Sequence, residues 1–409
     1  MPRFRYIKGR AATFLIAAVL LAVAASIVMF PEQAFQASLK ALNIWWEIVF
    51  PGLLPFFILT EISAAFGILH ALGVLIAPIM QSLFRLPGIS GWAAAFGWTA
   101  GYAAGAEMTA KLRKQGWISR QEGQKLLVIS HLTSPVTLFG IVAVGFFLSP
   151  SLGWLLFIAQ CISILAIGML YPIKKEPKVP DDREAKPAKP VSLWQKMLDA
   201  ADRGREEDGR SFGKVLGDAV TLSVQNLMLI GGTMMIFSVI SGSVEQLLFR
   251  DSFAPFGMEA RVWIHLIVSS LFEVHLGAFA ASSADMLLPW QAAFTSALLT
   301  WSGLALHFQV KSIISETDLS YVPFLWSKIA QSLISFFVIL ILWEPFKRLS
   351  ANTAPAFHSG PRETPSAYAP PDIWTLWKLE AQWLFTVYGG LILVAILAFR
   401  LHPSRNRTL

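Results

Sequence analysis

Glu273 stands in the apolar run Trp263–Ala281, with His275 two positions further on. A carboxylate in such a run is costly to bury unless it is paired, hydrated or bound to a cation. It could hold a coupling proton or ion, or organise a polar substrate. Its structural alternative is a bond to a serine or to a backbone amide freed where a helix breaks. His307 and Gln309 follow Ser302 and Gly303 in a second polar block, and Glu273, His307 and Gln309 are expected to share one site. In the first part of the chain His131, Thr133, Ser134 and Pro135 form a comparable block. Pro135 has no N–H to give, so the carbonyl it leaves free can serve an ion or ligand.

Three further places carry polar groups within apolar surroundings. Glu47 and Glu61 bracket a charge-free stretch too short for a complete helical crossing, and Pro51, Gly52 and Pro55 fall near its start. That pattern predicts a half-helix or hairpin over Glu47–Ser63, with Gln225 and Asn226 opening a matching segment, Gln225–Gly242. Helix ends in such breaks favour an anionic group, and Glu47 is alternatively an interfacial residue facing headgroups. Gly97, Gly101 and Gly105 recur every four residues, which on one helix clears a flat stripe for a neighbour. Thr99, Tyr102 and Glu107 lie beside that stripe. The candidate substrate- or ion-binding residues are Glu47, Tyr102, Ser134, Asn226, Glu273, Ser302, His307 and Gln309.

No phosphate-binding loop, His-Glu-x-x-His or Gly-x-Ser-x-Gly pattern occurs. An ATP-driven pump within this chain alone is excluded, no cofactor is expected, and the chain is read as a carrier in preference to an enzyme. Cys161 stands alone, so neither an internal disulfide nor a cysteine metal cluster can form.

The elements that must position these groups are membrane helices. Of 409 residues 55% are hydrophobic and only 14% charged, against roughly 25% charged in soluble domains. The charge is gathered between long charge-free segments: Ala11–Phe30, Leu86–Ala106, Leu126–Phe147, Ser151–Pro172, Ala219–Val244, Met286–Val310 and Ala381–Phe399. Each approaches the roughly 20 residues a helical crossing needs, and about eight to eleven crossings are expected. The net charge of +7 fits lipid headgroups and topology, with no nucleic-acid partner implied. Arg3, Arg5, Lys8 and Arg10 place the N-terminus in the cytoplasm ahead of a retained first helix. The basic connection Lys111–Lys125, including Arg113 and Lys114, and the tail with Arg400, Arg405 and Arg407 belong on the same side.

Lys174–Lys214, rich in both charges, reads as a surface loop or partly disordered linker, and Ser350–Asp372 as a second flexible connection. The chain divides into an N-terminal helix (1–33), a first repeat (34–172), a linker (173–213), a second repeat (214–345), a Pro-rich loop (346–380) and a C-terminal helix with basic tail (381–409). The two halves keep three blocks in one order. Trp46–Pro55 answers Gln225–Thr233, Gly101–Ala106 answers Glu273–Ala278, and Ser134–Phe139 answers Ser302–His307. Duplicated halves with interrupted apolar segments at matching places characterise secondary transporters, whose binding site lies where the breaks meet. The fold class is all-α, a polytopic membrane protein with two repeats containing broken or re-entrant helices.

Trp45–Phe57, then Leu83–Gly88, then Gly101-Tyr102 with Gly105-Ala106, together with Glu273, Gly277 and Ser302–Val310, make the chain similar to the YlbJ-type sporulation integral membrane proteins. The similarity covers about residues 35–345. It implies two Gate domains, also called nucleoside-recognition domains, related to segments of concentrative nucleoside transporters. It further implies a role in endospore formation, in the membrane around the forespore, and movement of dipicolinic acid towards the spore core. A nucleoside is the alternative solute, hydrogen-bonded by Gln225, Asn226, Glu273 and Gln309. A scaffold for cortex or coat proteins that transports nothing is the reading of another class. Expected partners are a small solute, a coupling ion (proton or sodium) and lipid, with the oligomeric state left open.

Overall fold

The computed structural model describes residues 14, 17–18, 21–172, 192–249 and 258–351, and all regular structure among them is helical. The expected C-terminal helix and the Pro-rich loop beyond residue 351 lie outside the described residues, residues 346–351 being the end of a helix; of the N-terminal helix, residues 21–29 are helical up to a bend at Phe30.

Among the described residues four helices are long and apolar enough to cross a membrane: Pro31–Ala65, Pro150–Leu170, Phe212–Glu245 and Tyr321–Arg348. In chain order they are α1 (Pro31–Ala65), α7 (Pro150–Leu170), α9 (Phe212–Phe249) and α14 (Tyr321–Ala351). Between them the remaining apolar segments are not simple crossings. Leu86–Ala106 folds as two short helices, α3 (Ser90–Ala100) and the start of α4 (Tyr102–Lys114). Leu126–Phe147 is interrupted between α5 (Arg120–Ser130) and α6 (Thr137–Phe146, wound as a π-helix), and Met286–Val310 between α12 (Leu288–Trp301) and α13 (Gly303–Ile314). Composition reports only that a segment is apolar. It does not report whether the backbone runs through it unbroken.

The breaks also fall elsewhere than expected in one respect. Glu47–Ser63 and Gln225–Gly242 do pack together, with Leu53, Phe56, Leu227 and Met234 in one core, and just ahead of the first Trp45 Nε1–H donates to the Leu227 carbonyl at 2.9 Å. Both lie within long unbroken helices. A π-helical turn at Trp45–Val49, with Phe50 N–H donating to the Trp45 carbonyl, widens α1 just ahead of Pro51. Pro51 then sits at the start of a fresh helical register, where its missing N–H costs little. α9 contains no proline, and its Gly231 makes room for the Trp45 ring, from which a Cβ would lie only 2.6 Å away.

The linker is likewise ordered in its second part. α8 (Leu193–Asp208) begins with a capping box between Ser192 and Gln195. Leu193, Met197, Ala200 and Gly204 recur at helical spacing and face α2 (Ile68–Ser82), where Gly204 meets the His70 ring. A one-sided apolar stripe is sufficient to fold a segment whose overall composition is highly charged.

With these elements the two halves show one plan. Each has a long first helix (α1, α9), a tight helical hairpin (α3–α4, and α10, Met258–Phe272, with α11, Val274–Ser283), an interrupted helix (α5–α6, α12–α13) and a long closing helix (α7, α14). Among the described residues α2 has no counterpart in the second half. The closing helices α7 and α14 pack on each other beside a core that includes Leu155, Ala159 and Ile339.

Candidate functional site

The hairpins turn where the sequence blocks matched. Gly101 has φ 95° and ψ −163°, a backbone shape that only glycine adopts cheaply. The arms then fold back so closely that a Cβ on Gly97 would lie 3.0 Å from the Gly105 Cα and 1.9 Å from the Ser130 carbonyl oxygen. The Gly97-Gly101-Gly105 series is therefore no stripe along one helix. Its middle member makes the turn and its outer members receive the Ser130 carbonyl between the arms. In the second hairpin Glu273 takes the turn position, and Gly277 packs on Ser270 as Gly105 packs on Gly97.

Each hairpin tip rests on the interruption of its own half. Gly101 faces Leu132 and Ser134, while Glu273 faces Gly303, whose Cβ would stand 3.2 Å from the Glu273 Cα. The first interruption follows from Pro135, which cannot donate to the carbonyl of His131 four residues before it. The second follows from Ser302 and Gly303, with φ 73° and 75°. Ser302 in the left-handed region costs on the order of 1 kcal/mol and is held there by burial.

Carbonyls released by the interruptions are satisfied by side chains, two of them by side chains of the opposite half. The His131 carbonyl accepts from Lys328 Nζ on α14 at 2.7 Å. The Leu299 carbonyl on α12 accepts from the Tyr102 hydroxyl on α4 at 2.6 Å. Thr133 is within 2.5 Å of that hydroxyl and accepts from Gln160 Nε2 on α7 at 3.0 Å. One hydrogen per hydroxyl then orders a chain in which Gln160 donates to Thr133, Thr133 to Tyr102, and Tyr102 to Leu299. Trp98 Nε1 covers the Ile129 carbonyl within the first half.

Lys328 is 1% exposed and makes one further bond, to Gln331 Oε1 at 3.0 Å. Both of its acceptors are neutral. Around it polar capacity remains unspent: Gln160 Oε1, Gln331 Nε2 and both ring nitrogens of His131 make no hydrogen bond to another residue. Aromatic rings close the cluster, with Tyr102 4.9 Å and Phe324 5.0 Å from the His131 ring centroid and Phe324 5.5 Å from that of His307. Buried polar groups are ordinarily satisfied. Four open valences around a buried ammonium make this crossing point the candidate site.

The candidate residues read from sequence separate into three sets. Tyr102 is in the cluster, and His307 borders it, donating through Nε2 to the Trp301 carbonyl at 2.9 Å while Nδ1 accepts from Tyr321 at 3.0 Å. Ser134, Ser302 and Glu273 shape the breaks. Ser134 Oγ accepts from the Thr137 N–H at 3.3 Å, Ser302 Oγ donates to the Trp301 carbonyl, and Glu273 caps α11 through the Leu276 N–H at 2.8 Å with His275 Nδ1 at 2.8 Å on its other oxygen. Both Glu273 oxygens are thus occupied within its own turn. Gln309 is half-buried on α13 without a bond to the cluster, and Glu47 and Asn226 lie on exposed faces. The packing of Trp45 on α9 turns the exposed pair outward, since each lies one or two residues from a buried contact. Lys328, Gln160 and Gln331 carry much of the site and were missed. For Lys328 the signal was present: it is the sole charge between Tyr321 and Trp343.

Beyond the cluster, the basic residues at the end of α4 reach across to the other half. Arg113 pairs with Asp318 at 2.8 Å through two nitrogens, and Lys114 pairs with Glu316. The Arg113 guanidinium holds the Asp318 carboxyl below its usual range.

A family model described as Gate, nucleoside recognition, matches residues 46–170. The sporulation integral membrane protein YlbJ of Bacillus subtilis (strain 168) is 37% identical over 343 residues, which cover 81% of this chain and 83% of that protein. Among solved structures, CNTnw in an inward-facing substrate-bound state aligns over 83% of this chain and 86% of its own at 15% identity, with a TM-score of 0.41. A doubly substituted CNTnw in an outward-facing state aligns over 85% and 88%, also at 15% identity, with a TM-score of 0.37.

Proposed function

The chain belongs to the family of the sporulation integral membrane protein YlbJ, and from that premise we propose that it is a carrier for a small carboxylate solute, dipicolinic acid, moved across the membrane around the forespore. One observation carries the reading. At the crossing of the two interrupted helices a buried ammonium, Lys328, has only neutral partners, among unspent hydrogen-bonding groups of Gln160, Gln331 and His131. A flat aromatic dicarboxylate supplies what that place lacks: negative charge for Lys328, acceptors for Gln331 and His131, and a ring to stack among Tyr102, His131 and Phe324. Because each half satisfies the other's broken helix, rearranging one exchange of bonds shifts the halves relative to each other. That is the movement alternating access requires. The reading assigns no catalytic step to any residue.

The test is exchange of labelled dipicolinate by the purified full chain in proteoliposomes, with unlabelled solute inside. Exchange above empty liposomes, competed by excess dipicolinate and not by uridine or adenosine, is the expected result. Competition by nucleosides alone would establish the second reading, favoured by the nucleoside-recognition match over residues 46–170. A chain that exchanges neither solute, yet remains monodisperse, would leave the scaffold role.

A further inference from the structure

A proline-interrupted membrane helix exposes carbonyl oxygens that must be served by something, and a free cation is one common occupant. Here the occupant is part of the chain. Pro135 cannot donate to the His131 carbonyl, and Lys328 Nζ stands 2.7 Å from that oxygen. Its second acceptor, Gln331 Oε1 at 3.0 Å, is the kind of neutral oxygen that also ligates sodium. Among the described residues no carboxylate is bonded to Lys328, and Glu273 has both oxygens engaged in its own helix cap. A lysine whose only partners are a broken helix's carbonyl and an amide oxygen has the surroundings of a bound metal cation, with the charge tethered.

We propose that Lys328 is the resident cation of the first interruption, and that the carrier therefore binds no sodium ion in its cycle. This rests on the carrier reading for the cycle, while the occupancy of the site can be tested without it. Two charges cannot share the His131 carbonyl and Gln331 Oε1 at such distances in a buried, low-dielectric setting. Sodium can enter only if Lys328 leaves or is removed. The other groups around the ammonium, His131, His307, Tyr102 and Tyr321, supply no anionic charge in the bonding arrangement seen.

The experiment compares thermal unfolding of the full chain in detergent in sodium chloride, potassium chloride and N-methylglucamine chloride at equal ionic strength. Wild type should melt at the same temperature in all three. Lys328→Met keeps an unbranched stem and vacates the oxygens, so it should gain a saturable, sodium-specific rise of several degrees, as ligand linkage requires. Lys328→Arg keeps the charge and should ignore sodium like wild type. A sodium-specific rise in wild type overturns the proposal, and so does a monodisperse Lys328→Met protein indifferent to sodium. If Lys328→Met does not fold, the wild-type and Lys328→Arg curves still decide. In proteoliposomes dipicolinate exchange should differ less than twofold between sodium and N-methylglucamine, and a tenfold dependence on sodium would also overturn it. Absence of exchange in every medium would remove dipicolinate as the solute, and the melting curves would judge Lys328 on their own.

Discussion

The two interrupted helices solve one problem with different chemistry. In the first, a proline removes a donor and a lysine from the far half replaces it. In the second, a left-handed Ser302-Gly303 pair opens the helix, and hydroxyl and imidazole donors of Tyr102, Ser302 and His307 close it. The hairpin tips differ in parallel: a bare glycine at 101 and a capping carboxylate at 273. Neutral donors satisfy a carbonyl at little electrostatic cost. A buried ammonium carries a desolvation cost that a hydroxyl avoids. The first break is thus served by a buried lysine, while the second is held shut by ordinary hydrogen bonds.

The largest effect is expected where the hairpin closes. Gly97→Ala drives a Cβ into the Ser130 carbonyl at 1.9 Å and should cost about 3 kcal/mol, the upper end for overpacking. It is read as a loss of folded, monodisperse protein. Gly232 on α9 meets nothing within 4 Å, so Gly232→Ala should be neutral or gain about 0.5 kcal/mol. Similar losses from both variants would mean that the arms of the hairpin are not packed as described.

Tyr102→Phe and Lys328→Met set the two breaks directly against each other. Tyr102→Phe leaves the Leu299 carbonyl with only the long 3.4 Å bond from Thr133 and should cost about 1–3 kcal/mol. Lys328→Met leaves the His131 carbonyl unpaired but also removes a buried charge. These effects are of opposite sign, so its midpoint should stay within about 1 kcal/mol of wild type, although dipicolinate exchange falls at least tenfold. A Lys328→Met protein far less stable than Tyr102→Phe, with exchange retained per folded molecule, would reverse the assignment of roles.

Glu273→Gln keeps a capping oxygen for Leu276 and replaces the carboxylate facing His275 by an amide, at a cost of about 1 kcal/mol. Abundance should fall slightly and exchange per molecule should hold. Abolished exchange at normal abundance would bring Glu273 into the site itself.

The smallest effect belongs to the surface. Arg113→Ala removes a pair to Asp318, whose side chain is 47% exposed, and should cost under about 1 kcal/mol, less in high salt. The depressed Asp318 carboxyl contributes stability at neutral pH, and that contribution disappears as the pH falls through its lowered native value, because the unfolded chain takes up the proton first. Arg113→Ala should therefore narrow the loss of stability on acidification. An unchanged acid limb of the unfolding curve would show that the pair is not formed in solution.

The first interruption was readable in one dimension because Pro135 breaks a helix through local backbone chemistry, whereas the turn at Gly101 was hidden in a glycine series read as a stripe along one helix. Gly101 and Glu273 fall in matched blocks, as do Pro135 and Gly303, and a proline or a left-handed residue interrupts a helix wherever it packs. The membrane class was equally plain from the charge-free runs. Local chemistry misled at Pro51, where a π-helical turn absorbed the proline, and along 193–208, where an apolar stripe within a charged stretch found a helix to cover it. Neither outcome depends on neighbours in sequence alone. The site itself was decided by tertiary structure. Lys328 and the His131 carbonyl are 197 residues apart, and so are Tyr102 and the Leu299 carbonyl. A residue type announces that it can donate. Only the packing of one half on the other determines which freed carbonyl receives it, because that pairing is set by the separation of helices and by no periodicity along the chain.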